Sequence, residues 1–422
     1  MRNTDRFLNK RVIIVGFARS GIACANLLYS LGAKVGITDN KDSAQVRENL
    51  LQLKSKEINV ELGRHTQDFV KGNDLLILSP GVPAEVLPVL WAKESGIPVI
   101  SEIELGWILC PATIIAVTGA NGKTTVATLI GKILEKSGRK VSVCGNIGKP
   151  FCAEVEKLKE GDFVSLEVSS FQLETVSDFR PKIALILNFT PNHLDRYKNM
   201  QEYLEAKKRI FMNQAKGDYL VLNGDDPVLR AMAKEAKSEI VFFSPEDGLN
   251  PNQAAVLAVG RILEIAKDLI LSEFRDFPGI EHRMEFVREI NKVKFINDSK
   301  ATTVDSAIWA LKNIKEPVVL ISGGKHKGVD YRQLIPFARD KVRQVILIGE
   351  AREVMRSAFF DALPLDEAQN LEEAVIKAYN KALPGDAVLL SPMCSSFDMF
   401  LNYEERGNVF KQIVHSLSKD KI

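Results

Sequence analysis

The sequence contains no run of the roughly 18 or more apolar residues that a bilayer-spanning helix requires, so insertion into a membrane is not expected. Cysteine is scarce: Cys24, Cys110, Cys144, Cys152 and Cys394 are scattered with no CxxC spacing, which excludes a disulfide framework and a cysteine-rich zinc site. The first residues, MRNTDRFLNK, lack the apolar core of a secretory leader, and with the reduced cysteines this points to the cytoplasm. An excess of one charge is also missing. Lys+Arg 56 against Asp+Glu 54 leaves a net charge of +2, so no global basic field argues for nucleic acid, and any bound anion must be held by local groups. Low-complexity tracts and short repeats are absent. What remains is an ordinary globular composition, 45% hydrophobic over 422 residues, long enough for two or three domains.

The most informative stretch is IAVTGANGKTT, Ile115 to Thr125. An apolar β-branched run ends in Gly119, Ala120, Asn121, Gly122, Lys123, Thr124 and Thr125, and the helical pattern VATLIGKILEKSG follows. This reads as strand, phosphate loop and helix. The glycines let the backbone approach a polyphosphate, the amides at the helix start face its oxygens, and Lys123 adds a full positive charge. Thr124 offers a hydroxyl where a phosphate-bound Mg²⁺ sits. The spacing departs from the strict P-loop pattern, because only two residues separate Gly119 from Gly122. A glycine-rich turn with a surface lysine is the bland alternative.

Residues 11–109 alternate short apolar strands (RVIIVG, KVGITD, DLLILS, PVI) with helical segments (GIACANLLYSLG, VLPVLWAKES), the pattern of a doubly wound unit. Its first turn, GFARSG, resembles a dinucleotide fingerprint with Ala18 at the middle glycine, and Asp39 ends the next strand. A phosphate or ribose at the strand ends and a ligand-free tight turn both fit. A second unit runs to about Pro278, with near-continuous apolar strands TIIAVT, KVSVCG, DFVSLEV, KIALILN and DYLVLN, as expected of a parallel sheet covered on both faces. Asn146, Glu167, His193 and Asp195 lie at their ends. A carboxylate on a buried strand is costly unless it meets a cation, which singles out Glu167. The helix QEYLEAKKRIF places Lys207 beside the apolar stripe of Tyr203, Ala206 and Ile210, and Lys208 nearer solvent. A third unit follows the break at Pro278-Gly279, with strands PVVLIS, QVILIG and AVLLSP, and helices near 303–313, 331–340, 371–383 and 402–417. NDSKATT, SGGKHKG and SPMCSSFDMF close its strands at the edge where α/β sheets place ligands.

Taken in order, TGANGKTT, GNIG, LEVSSFQLE, NHLDRY, EAKKRI, EHRMEF, NDSKATT, SGGKHKG and SPMCSSFDMFLNYEERG resemble the Mur ligases of cell-wall synthesis over nearly the whole chain. The NDSKAT and SPMCSSFD blocks resemble the D-glutamate-adding branch. The resemblance implies three Rossmann-like α/β domains, the central one a P-loop ATPase-like, mainly parallel sheet. Residues 1–109 would bind a UDP-sugar, 110–279 ATP and 280–422 the amino acid. It implies an ADP-forming ligase that adds D-glutamate to UDP-N-acetylmuramoyl-L-alanine through an acyl phosphate, in peptidoglycan precursor synthesis, acting as a monomer.

By the same resemblance, residues Gly119 to Thr125 meet the ATP phosphates and Thr124 with Glu167 holds one Mg²⁺. His193 and Lys207, the latter carbamylated by CO₂, serve a second Mg²⁺. Asn146, Ser169 and Gln172 match positions facing the muramoyl-alanine, and Ser20, Asp39 and Gly81 positions near the uridine diphosphate. Arg283 and Asp298 match nucleotide contacts, and Lys300, Thr302, Lys327, Ser396 and Tyr403 the D-glutamate pocket. The sequence departs from the family in three places. Tyr403 replaces a phenylalanine, the central unit is short before FFSPEDGLNPNQAA, and that segment lacks the histidine of the adenine-side motif, which leaves Asn250 and Gln253 without a defined adenine role. A sister ligase or a folylpolyglutamate-type ligase shares the loop and the lysine but not the NDSKAT and SPMCSSFD blocks. A nicotinamide oxidoreductase would use GFARSG and Asp39 but not the Lys123 loop, and a P-loop ATPase without ligation would use that loop alone.

Overall fold

A computed structural model describes residues 1–190, 197, 199–246, 248–326 and 328–418. The chain forms two compact units, Met1–Phe277 and Pro278–Ile422. The first unit holds two sheets. β1 (Arg11–Val15), β2 (Lys34–Asp39), β3 (Asn59–Leu62), β4 (Leu75–Leu78) and β5 (Val99–Ser101) build one, in the order β3-β2-β1-β4-β5. All of its pairings are parallel. β6 (Thr113–Thr118), β7 (Val141–Gly145), β8 (Phe163–Glu167), β9 (Ile183–Ile186), β10 (Tyr219–Asn223) and β11 (Glu239–Phe243) build the other, in the order β11-β10-β9-β6-β8-β7. It too is wholly parallel. The second unit carries β12 (Glu285–Ile290), β13 (Val293–Asn297), β14 (Val318–Gly323), β15 (Val342–Ile348), β16 (Leu365–Glu367) and β17 (Ala387–Leu390), in the order β12-β13-β17-β14-β15-β16. There only β12 runs antiparallel to its neighbour, with a register shift between Phe286 and Arg288.

The expected central strands form where continuous apolar runs must be buried on both faces; every residue of β9, β14 and β17 is buried. β3, β11 and β16 were not expected. Each lies at a sheet edge; NVEL and LDE carry no such run, and the apolar run of EIVFF is only partly buried. The helix expected over 331–340 is instead a 3₁₀ turn, Tyr331–Leu334, followed by the short helix Ile335–Ala338 with proline in its first turn. Proline lacks the N–H that would continue one regular ladder through the junction.

The two sheets of the first unit share one core, in which Ile14, Ile37 and Leu28 pack with Ala116, Leu166 and Phe151. The helix Glu102–Leu109 lies between them. Its Glu104 carboxylate accepts the backbone N–H groups of Ser177 (2.9 Å), Asp178 (3.0 Å) and Phe179 (3.1 Å). Glu102 is fully buried; its Oε1 accepts the Cys152 N–H at 2.7 Å, and its Oε2 has no hydrogen-bond partner among the described residues. Burial therefore pushes Glu102 up from 4.5 to about 7, against the pull of the Cys152 donors. Cys24 and Cys152 are both free and buried nearby.

Between pH 4.5 and about 7 the folded Glu102 keeps a proton that the unfolded chain releases, so this group's stabilising contribution is lost as pH rises through that window. The shift amounts to roughly 3 kcal/mol at about 1.4 kcal/mol per unit. Urea unfolding of wild type and Glu102→Gln at pH 5 and pH 8 should therefore show wild type losing on the order of 2 to 3 kcal/mol relative to the variant. A pH-independent difference would mean that Glu102 is ionised in the folded protein.

Candidate functional site

The central sheet reverses its strand order at β6, which lies between β8 and β9. Ligands of open α/β sheets bind at such a point, outside the carboxyl ends. Residues 119–122 leave β6 there and enter the helix Lys123–Lys136. Gly122 N-caps that helix with φ 84°, and a Cβ on it would lie 2.3 Å from Asn252 Oδ1, so both backbone and space demand glycine. Lys123 Nζ donates to the carbonyls of Gly119 and Ala120, each at 3.0 Å. Thr124 is buried in the first turn, and Ala120, Asn121 and Thr125 flank it in the loop and the helix. Asn188, just past β9, was not singled out by the sequence. Its carboxamide meets Ala120 and Asn121 across 68 and 67 residues of chain, a separation that no local pattern reports.

Glu167 ends β8, level with Val117 of β6 and Gly145 of β7. It is 2% exposed. Asn146 Nδ2 donates to its Oε1 at 2.8 Å, while Oε2 is buried with no hydrogen-bond partner among the described residues. A buried carboxylate oxygen without a donor, at the same sheet edge as the Thr124 hydroxyl, suits a hard cation. No trio of His, Cys, Asp or Glu side chains fit to hold a metal occurs among the described residues. His193 and Asp195 lie outside the described residues.

Lys207 sits on the helix Met200–Lys208 with Tyr203 and Ala206 on its buried side, as the helical spacing anticipated, and is 1% exposed. Its ammonium stands 4.6 Å from the centre of the Tyr203 ring. Burial, with a further push from the Lys123 charge, holds its pKa well below the usual lysine value. Tyr203 in turn stacks on Phe189 at 5.3 Å and meets Tyr197 at 5.2 Å. Lys208 is nearer solvent but not bare: its side chain is 15% exposed and pairs with Glu205 at 2.9 Å and Glu235 at 2.7 Å. Ser169 and Gln172 form a capping box on the helix Ser170–Leu173, and Asn250 with Gln253 forms another on Pro251–Ile262.

At the edge of the first sheet, Asp39 closes β2 and accepts two backbone donors, Phe17 N–H at 2.8 Å and Lys41 N–H at 2.9 Å. Ser20 lies in the first turn of Arg19–Ser30. Gly21 packs that helix so closely on the turn that a Cβ would lie 2.0 Å from the Gly16 carbonyl. Ser79 Oγ donates to the same carbonyl at 3.2 Å, which brings the loop holding exposed Gly81 beside the first turn.

In the second unit three loops meet at the ends of β13, β14 and β17. Asp298 is 4% exposed and accepts Met284 N–H at 3.2 Å and Ser391 Oγ–H at 3.0 Å. Burial raises it to about 7 despite the nearby Arg283 charge. Arg283 lies over Trp309 at 5.6 Å and Lys300 over Tyr403 at 5.7 Å. Thr302 follows in the same turn, its N–H donating to the Lys300 carbonyl at 2.9 Å, and Ser396 is buried. Lys327 lies outside the described residues. Arg406, also missed from sequence, is wholly buried and ties the loops together. It donates to Ser299 Oγ at 3.0 Å, the Ser299 carbonyl at 2.9 Å and the Cys394 carbonyl at 3.2 Å.

The chain also matches known proteins along its length. Residues 10–101 match the MurD-like N-terminal domain of Mur ligases, 117–264 the Mur ligase middle domain and 282–394 the Mur ligase glutamate ligase domain. A UDP-N-acetylmuramoylalanine--D-glutamate ligase of Thermoanaerobacter pseudethanolicus is 41% identical, over 97% of this chain and 99% of its own. One from Geotalea uraniireducens is 42% identical, over 97% and 98%. Among solved structures, UDP-N-acetylmuramate-alanine ligase of Thermotoga maritima aligns with a TM-score of 0.59 at 18% identity, covering 96% of this chain and 99% of its own. MurF ligase from the same organism, in complex with ADP, aligns at 0.57 and 16% identity, covering 98% and 99%. The two structures share the fold, the near-full-length relatives the sequence itself, and the chain belongs to the Mur ligase family.

Proposed function

We propose that this protein is an ATP-dependent ligase that joins D-glutamate to the alanyl carboxylate of UDP-N-acetylmuramoyl-L-alanine, releasing ADP and phosphate, in peptidoglycan precursor synthesis. Its carrying observation is the convergence, at one edge of the central sheet, of the Lys123 loop, the unpartnered Glu167 oxygen and the desolvated Lys207. The name of relatives 41% identical over 97% of the chain supplies the substrate pair. An enzyme using ATP and a UDP-sugar belongs in the cytoplasm, and we expect it to act as a monomer. Among the described residues no helix is long and apolar enough to cross a membrane.

A carboxylate resists attack by an amine because its oxide is a poor leaving group. Transfer of the γ-phosphoryl of ATP to the alanyl carboxylate gives an acyl phosphate; the D-glutamate amine then adds to the acyl carbon, and the tetrahedral adduct expels phosphate as the amine sheds its protons. In this scheme Lys123 and the amides at the helix start hold the ATP phosphates. Thr124 and Glu167 would hold one Mg²⁺, and Lys207 and His193 a second, whose role is to neutralise negative charge as two anions are brought together. Lys207 reaches that role by adding its neutral amine to CO₂ and losing a proton, which leaves a carbamate with hard oxygen donors. Asn146, Ser169 and Gln172 face the muramoyl-alanine; Ser20, Asp39 and Gly81 the uridine diphosphate; Arg283 and Asp298 the nucleotide. Lys300, Thr302, Lys327, Ser396 and Tyr403 take the D-glutamate.

Phosphate release measured with ATP, UDP-N-acetylmuramoyl-L-alanine and a panel of amino acids tests the assignment. D-glutamate should be strongly preferred over L-glutamate and D-aspartate, because the wrong stereocentre or length leaves a buried partner unpaired; equal turnover of L-glutamate refutes the acceptor. Lys123→Ala should lower turnover by on the order of 10² to 10³ while calorimetry still detects the UDP-sugar; near-normal turnover would remove the phosphate loop from the site. For the carbamate, Lys207→Ala should be inactive and partly restored by acetate. Lys208→Ala, which loses only partly exposed ion pairs, should remain active. A fully active Lys207→Ala in CO₂-depleted buffer sinks the carbamate assignment.

A further inference from the structure

We infer that Asn188 is a positioning residue that sets the shape of the phosphate loop and selects which of its amides face the nucleotide, an inference that rests on the ATP reading above. β9 is paired with β6, and Leu187 N–H extends that pairing to the Thr118 carbonyl at 3.0 Å. The next side chain, Asn188, is thereby delivered to the loop. Its Oδ1 accepts the Ala120 N–H at 2.9 Å and the Asn121 N–H at 3.0 Å, and its Nδ2 donates to the Asn121 carbonyl at 3.1 Å. Leu187 Cβ and Asn188 Oδ1 also lie 3.1 and 3.5 Å from where a Cβ on Gly119 would stand, so the loop runs directly against this strand end.

The pattern has a directional consequence. A carboxamide carries acceptor and donor on one planar group, so it alone meets both the N–H and the C=O of Asn121. In a trans peptide the C=O and the following N–H point opposite ways, and the described residues contain no cis peptide. Drawing the Asn121 carbonyl toward Asn188 therefore turns the Gly122 N–H away from it. The Ala120 and Asn121 amides are occupied by Asn188, and an anion is left to the amides from Gly122 onward, at the start of Lys123–Lys136. Asn188 thus divides the loop into an anchored half and a ligand-facing half, without touching the ligand.

Asn188→Ala removes all three bonds. Asn188→Asp keeps the two it accepts, but sets a charged oxygen against the Asn121 carbonyl and close to the phosphates. Steady-state kinetics should show the KM for ATP rising between about 10- and 100-fold in Asn188→Ala, and further in Asn188→Asp. The KM values for UDP-sugar and D-glutamate should stay within about twofold, and the melting temperature without ligand within about 2 °C. ADP calorimetry should reproduce the ATP effect. An unchanged KM for ATP overturns the inference, and so does a fall in melting temperature with all three KM values moving together, which marks a general structural staple. Lys123→Ala run alongside separates the two levels. If it loses nucleotide while both Asn188 variants keep it, this inference alone fails; if it too binds nucleotide normally, the ATP reading of the loop fails first.

Discussion

Desolvation of charge at the carboxyl edge of the central sheet is the constraint on which the rest depends. The sheet is parallel and covered on both faces, so polar side chains can collect only where the chain leaves the strands. Glu167 and Lys207 there are incompletely matched among the described residues. Glu167 has a donor on one oxygen and none on the other among the described residues, Lys207 faces an aromatic ring, and Lys123 bends back on two carbonyls. A lysine and a carboxylate oxygen buried this way are costly in a protein that binds nothing, since burial of an ionisable group without a partner is opposed by several kcal/mol. They suit one that brings phosphates and cations to the same edge.

The two sheets of the first unit share a core and are joined through one buried helix. The helix Glu102–Leu109 is buried along nearly its whole length, and Glu104 collects three consecutive backbone amides. These donors would otherwise be orphaned between the sheets. Glu102 meets the Cys152 N–H instead, and burial pushes it up to about 7; burial raises Glu104 as well, against the pull of its three amides. Two glutamates two residues apart are therefore both raised by burial, each opposed by the donors its carboxyl meets.

The fold was legible wherever burial on both faces writes a continuous apolar run, and illegible where it does not. β6, β9 and β17 announced themselves. The edge strands β3, β11 and β16 did not, since pairing on one side asks little of their side chains. At the site the same divide holds. Lys207 could be placed from helical spacing alone, because Tyr203, Ala206 and Ile210 mark the buried side. Asn188 and Arg406 could not, because their partners are dozens of residues or more away and an isolated asparagine or arginine carries no periodic signal. Glu102 and Glu104, in EIELGW, were not singled out by the sequence either.

A common device emerges from the three sheets. In each, one polar side chain from a strand end or helix holds a loop at the sheet's carboxyl edge through backbone atoms. Asp39 holds Phe17 in the first sheet, Asn188 holds Ala120 and Asn121 in the central one, and Arg406 holds Ser299 and Cys394 in the third. The anchors address mainly backbone groups, with the Ser299 hydroxyl as one side-chain partner of Arg406, and so constrain loop shape. An apolar replacement would take that partner from the amides or carbonyls it meets. The loop would then move to satisfy them. In a site whose task is to bring two anions into register, such a shift of the backbone costs rate before it costs stability.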